Sequence, residues 1–351
     1  MPGSATEGGE ATVRAAFATQ AGWCATMGSP FTAKLCTLLG ERLDRSTEVG
    51  RRTLDWPGNP DGWADGLPLR FCGGLHALVR SGAPLARCYP PNPTPDDETL
   101  WAAIRRTLED EGPALLAWLD HPPQTNEVGR AAALMSGLLV VAATWPLPIR
   151  LLELGASAGL NLIPDRYRYT LGSAAAGDMS SPLHLQPEWS GASPPPADVR
   201  IQSRRGVDLR PLDIRRDAER LLAFVWPDQR QRLAQLETAL AIAAADPPPV
   251  DAADAADWLE AELPPDPLPG ATRVVMHSVA YQYFPESSQR RIAARIAEAG
   301  AAARADAPLA WLRFEKDPGD HGTTLRLATY PGGGDRLLAH CQPHGRTIDW
   351  C

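Results

Sequence analysis

The chain has 351 residues, 44% of them hydrophobic and 22% charged, and a formal net charge of −8. Such a length and composition describe a folded globular protein large enough for two domains. The surplus of acid argues against a partner held by phosphate attraction, so no nucleic acid is expected.

The first thirty residues lack a basic start followed by an apolar core, which predicts no signal peptide and a cytoplasmic protein. The six cysteines, Cys24, Cys36, Cys72, Cys88, Cys341 and Cys351, are irregularly spaced and read as reduced thiols. His340, Cys341, His344 and Cys351 match no structural zinc spacing, and no metal is expected.

Residues 1 to about 12 are rich in Gly, Ser and Glu and read as a disordered tail. Apolar residues at three- and four-residue steps predict helix over 13–45, with Ser29-Pro30 as a start signal inside it. Further helices are expected over 69–79, where Gly73 and Gly74 allow close packing, and over 96–119. The uncharged run 131–149 approaches membrane-span length, but Pro146 and Pro148 end it, and it reads as a buried helix with no membrane role. Just before it, Asn126, Glu127 and Arg130 form a polar cluster, read either as capping and a surface ion pair or as groups facing a ligand.

The run 151–154 is a short buried strand leading into Gly155-Ala156-Ser157-Ala158-Gly159, and a helix with Asn161, Asp165 and Tyr167 is expected to follow. Strand-like pieces fall at 167–171, 183–186 and 199–208, a long helix at 219–245, and a short acidic segment at 251–263. A strong strand over 272–279 precedes a helix at 288–303, a strand at 309–315, and an antiparallel pair at 323–329 and 336–340 around Pro331-Gly-Gly-Gly334. Alternating strands and helices predict an α/β sheet over 148–351 behind a helical domain over 13–147.

A strand, a glycine turn and a helix serve two chemistries. Gly-x-Ser-x-Gly is the nucleophile elbow of serine hydrolases, which would make Ser157 a nucleophile and require an acid and a histidine downstream, such as Asp320-His321 or His344. The same turn on the first strand of a sheet, with Glu153 two residues before Gly155, is the position of a cofactor turn. Chain order favours the cofactor, because a hydrolase elbow follows several strands.

The motifs resemble a class I S-adenosylmethionine-dependent methyltransferase, which implies a Rossmann-like, methyltransferase-type sheet and S-adenosylmethionine as cofactor. Leu151-Leu-Glu153-Leu-Gly155-Ala156-Ser157-Ala-Gly159 resembles its first motif, with Ser157 at the middle glycine. Gly206-Val-Asp208 resembles the end of its second strand, where an acid holds the ribose. The long interval before Asp208 implies an inserted hairpin, or else Asp213 or Asp178 in that role.

Asp254 would lie near the adenine, and Ser278 ends the strand that faces the methyl acceptor. The resemblance makes His277 or Tyr281 the base, with Glu127 beside them. Asn126, Arg130, Asn161 and Tyr283 would bind a small-molecule acceptor, and the helical domain would serve as a lid. A ligand-binding protein without this chemistry, or another reaction on the same fold, is the remaining alternative.

Over nearly its whole length the chain also resembles the bacterial domain of unknown function family 2332. The resemblance lies in 124–130, 155–162, Asp165-Arg-Tyr167, 206–213, His277-Ser278 with Tyr283, and His344-Gly345 with Trp350. It implies a motif set and no reaction.

Overall fold

The computed structural model describes residues 9–317, 319, 322–332 and 334–351. The chain divides into two compact units, Met1–Thr125 with Asp217–Ala234, and Asn126–Arg216 with Gln235–Cys351.

In the first unit, α1 (Glu10–Thr26), α2 (Pro30–Arg42), α3 (Glu48–Leu54), α4 (Leu67–Arg80), α5 (Asp97–Asp110) and α6 (Gly112–Leu119) surround one apolar core. Helix α4 shows why: Leu67, Phe71, Leu75 and Leu78 recur on one face and are buried. A Cβ on Gly73 would lie 2.8 Å from the Phe224 ring and one on Gly74 2.8 Å from Trp118 Cβ, so these glycines do permit close packing.

Expected helix bounds change where local chemistry intervenes. Helix α1 begins at Glu10, inside the expected tail, whose residues 1–8 lie outside the described residues. Gly112-Pro113 splits the run 96–119. Ser29 does not cap α2 through its side chain; its hydroxyl donates to Asp228 Oδ1 and accepts from the Thr32 hydroxyl.

The second unit opens with α7 (Ala131–Thr144), which is buried through Ala142 and packs on the sheet, so the unit boundary falls at 125/126 and not at 147/148. Among the described residues, no helix is long and apolar enough to cross a membrane. Strand β1 (Ile149–Leu154) is the first strand of the described chain. After it come β2 (Arg168–Leu171), β3 (Ala174–Gly177), β4 (His184–Leu185), β5 (Glu188–Ser190) and β6 (Ile201–Asp208).

The predicted helix 219–245 is two, α8 (Ala218–Ala223) and α9 (Arg230–Ala245), interrupted around Pro227. Then follow β7 (Val250–Ala252), α10 (Ala255–Glu262), β8 (Thr272–Ser278), α11 (Glu286–Ala301), β9 (Leu309–Lys316), β10 (Thr323–Tyr330), β11 (Asp335–Cys341) and β12 (Thr347–Trp350). Gly333, in the expected final turn, is outside the described residues.

The main sheet has nine strands in the order β5-β12-β11-β10-β9-β8-β1-β6-β7. Five strands from one edge, β7-β6-β1-β8-β9, are wholly parallel, whereas β9, β10, β11 and β12 form an antiparallel meander. Strand β8 is buried at every residue, and its middle, Val274 to Met276, is apolar on both faces of the sheet. Trp258, Ile292 and Ile296 from α10 and α11 join Leu152, Leu154, Val207 and Val275 in this unit's core.

Strand order reverses at β1, with β6 and β7 to one side and β8 and β9 to the other. In open parallel sheets, ligands bind beyond the strand C-termini at such a switch. The interval between Gly159 and Asp208 holds a small sheet, β3-β2-β4, in which β2 and β3 form an antiparallel hairpin.

Candidate ligand site at the strand switch

The five parallel strands place acids at one edge. Glu153 lies near the end of β1, Asp208 ends β6, Asp254 follows β7, and Glu315 lies near the end of β9. Beside them are Ser157 (φ 55°) and Val279 (φ 50°), the two non-glycine residues with positive φ among those described. Left-handed backbone costs an L residue about 1–2 kcal/mol, so the fold holds both under strain at the ends of adjacent strands.

Glu153 is 1% exposed, and its Oε2 has no hydrogen-bond partner. Burial, reinforced by the charge of Asp208 and only partly opposed by Arg130, pushes its carboxyl well above the ordinary range. Ser157 Oγ and Asn161 Oδ1 are likewise buried without partners. Three orphaned polar atoms within the stretch 153–161 are unusual, because native interiors pair nearly all such groups. Asn161 Oδ1 can only accept a hydrogen bond, and Glu153 Oε2 accepts when ionised, so the stretch is short of donors.

Several expected roles are corrected. Gly155 and Gly159 adopt φ of 69° and 77°, as the turn requires, but they leave no open cradle. A Cβ on Gly155 would lie 2.5 Å from Ala280 Cβ, and one on Gly159 2.7 Å from Pro248. The chain's own atoms fill the space expected for a ligand, and Ala156 packs against Gly206.

The helix expected after Gly159 is two short 3₁₀ turns, Leu160–Leu162 and Pro164–Arg166, separated at Ile163 just before Pro164. The turn therefore does not lead directly into an α-helix. Asp208 Oδ2 accepts the Ser157 N–H at 2.9 Å and Oδ1 the Arg210 N–H at 2.9 Å, so this acid first of all braces the turn. Asp254 caps α10, accepting from Ala256 N and Asp257 N, which accounts for it without an adenine.

His277 is fully enclosed. Its Nδ1 is 2.7 Å from Glu315 Oε1, and Trp311 Nε1 donates to its Nε2 at 3.1 Å. With both nitrogens engaged, the ring has no lone pair for a substrate proton, and the expected base is a structural group. Tyr281 stacks on it at 4.8 Å and donates its hydroxyl to the Gln289 carbonyl, so it too is occupied. Burial tends to raise the Glu315 carboxyl, but the His277 N–H and the amides of Ala280 and Tyr281 outweigh it and hold Glu315 below its usual range.

The polar cluster before α7 ties three segments together. Asn126 Oδ1 accepts from Leu160 N at 2.8 Å, Glu127 Oε1 accepts from Gly129 N, and the Glu127 carbonyl receives Asn161 Nδ2 at 3.5 Å. Arg130 donates to the carbonyls of Ser278 and Pro343. These residues therefore frame the site, whereas Tyr283 lies exposed beyond β8. Ser157 Oγ has no partner, so no described imidazole is bonded to it, His344 included; Asp320 and His321 lie outside the described residues.

Sequence patterns did not single out Trp311 or Glu315. An acid near the C-terminal end of an apolar strand was the available signal. Among the described residues, no group of three or more His, Cys, Asp or Glu side chains could hold a metal ion.

Fold and site define a mixed α/β protein with a mostly parallel central sheet and an acid-lined strand edge. The chain belongs to a bacterial family, described as uncharacterized protein conserved in bacteria (DUF2332), whose model matches residues 14–350. No curated protein and no solved structure matches it.

Proposed function

We propose that this chain binds S-adenosylmethionine beyond the end of β1, on a Rossmann-like methyltransferase-type sheet, and directs methyl transfer to a small-molecule acceptor. The observation that carries the reading is the set of orphaned atoms on Glu153, Ser157 and Asn161 where strand order reverses. A donor-poor, acid-lined edge calls for a ligand rich in donors and positive charge, which a ribose diol and an ammonium supply.

The cofactor, when bound, supplies an electrophilic methyl group. Glu153 and Asn161 accept hydrogen bonds from it, Ser157 Oγ gives or accepts one, and Asp208, which already braces the turn, keeps lone pairs for hydroxyls. Contact runs through these side chains, since the faces of Gly155 and Gly159 are filled. Catalysis here is chiefly positioning, with the reacting groups held in line. With His277 and Tyr281 engaged, an acceptor that loses its own proton to water suits the site better than one needing an imidazole base.

The test is titration calorimetry with S-adenosylmethionine and S-adenosylhomocysteine on wild type and on Asn161→Ala. Binding by wild type, weakened at least tenfold in a variant that melts normally, supports the reading; about 1.4 kcal/mol, roughly one hydrogen bond, corresponds to that factor. No heat with either ligand on folded wild type removes it.

A further inference from the structure

The carboxyl of Glu153 differs from every other acid at this edge. Asp208 accepts two amide N–H groups, Asp254 accepts two, and Glu315 Oε1 accepts an imidazole and two amides. Glu153 has none of these, lies on β1, the middle one of the five parallel strands, and is 1% exposed.

The groups that face it are the Asp208 carboxyl on β6, Arg130 from the turn before α7, and the Tyr167 phenol. Its register partners are Gly206 and Met276, which carry no charge. Arg130 is already committed to two carbonyls, and the Tyr167 hydroxyl donates to the Leu160 carbonyl. An isolated carboxylate in such a place is expensive, and a neutral acid is the cheaper state.

We propose that Glu153 holds a proton in the ligand-free protein and releases it to solvent when a cationic small molecule binds beyond β1. The positive charge of an ammonium or sulfonium replaces the proton as the partner of the carboxylate, so binding and deprotonation are one linked event. The inference rests on the cofactor reading only for its probe. It adds that the site selects for positive charge and that its affinity rises with pH until Glu153 ionises in the free protein.

Calorimetry of S-adenosylmethionine binding near pH 7, repeated in buffers of different ionisation enthalpy, counts the protons released. About one proton per ligand is expected from wild type and none from Glu153→Gln. If the variant binds too weakly to titrate, the wild-type count decides. Binding without proton release overturns this inference and leaves the cofactor reading standing, whereas no binding to folded wild type overturns both.

A ligand-free measurement is independent of the probe. A raised folded-state carboxyl lends stability below the unfolded value of about 4.3 that is lost as pH rises toward the folded value. The unfolding midpoint of wild type must therefore fall relative to that of Glu153→Gln as pH is raised from about 5 to about 8. A constant difference between the two proteins overturns the proposal.

Discussion

Trp311 Nε1 donates to His277 Nε2 at 3.1 Å, and this bond fixes the state of the imidazole. An indole N–H can only donate, so Nε2 accepts and the ring proton lies on Nδ1, directed at Glu315. Glu315 in turn receives the amides of Ala280 and Tyr281, the residues that follow strained Val279. The chain Trp311, His277, Glu315 thus anchors the turn whose Ala280 fills the space beside Gly155. Nitrogen-15 spectra should show a pyrrole-like Nδ1 and a pyridine-like Nε2. Trp311→Phe leaves a buried acceptor unpaired and should cost about 1–3 kcal/mol in urea unfolding. The reverse tautomer, or no loss, would contradict this arrangement.

His76, in the first unit, gives stability a pH dependence of its own. Burial lowers its pKa to about 4, the Ala223 carbonyl opposing this in part. Above pH 6.5 the ring is neutral in both states. As pH falls below that value the unfolded chain takes up a proton that the folded chain refuses, and stability declines until the folded ring titrates. The full loss is of order 3 kcal/mol. His76→Gln, which keeps a donor for the carbonyl, should flatten this limb in tryptophan-monitored unfolding; an unchanged slope would show that the ring is not the source.

Ser157→Gly should stabilise the ligand-free protein by up to about 1 kcal/mol, because it relieves a left-handed serine and removes a buried, unpartnered hydroxyl. A lower urea midpoint would instead mean that Oγ holds a bond in solution, as a hydrolase nucleophile would.

Arg204 grips Asp165 with two parallel bonds of 2.6 and 2.7 Å and also donates to the Leu162 carbonyl, pinning the loop that carries Asn161 to β6. Lysine cannot reproduce this fork. Arg204→Lys should lose about 1–3 kcal/mol and speed amide exchange over 160–166. Unchanged exchange there would show that the loop is held by other contacts.

Much of the sheet was legible, for a physical reason: buried parallel strands leave apolar runs, as in Val274-Val275-Met276, and the start of β9, Leu309 to Leu312, is also apolar. The helix interruption near Pro227 was harder to read, since it lies in a segment otherwise rich in helix formers. At the site, the glycine turn was visible but its purpose was not. Whether a glycine makes room for a ligand or for the protein depends on what stands opposite, here Ala280 and Pro248, both distant in sequence. The same holds for His277, whose partners come from a strand more than thirty residues away.

The two outermost strands of the main sheet, β5 and β7, have three residues each. Pro187 and the run Pro194-Pro195-Pro196 flank one, and Pro247-Pro248-Pro249 leads into the other. Proline has no amide hydrogen to offer a neighbouring chain, and such brief margins give an incoming strand little to grip. A nine-stranded sheet would otherwise invite lateral growth into aggregates. The abundance of proline in this chain thus has, at two places, a protective use: it closes the sheet at both sides.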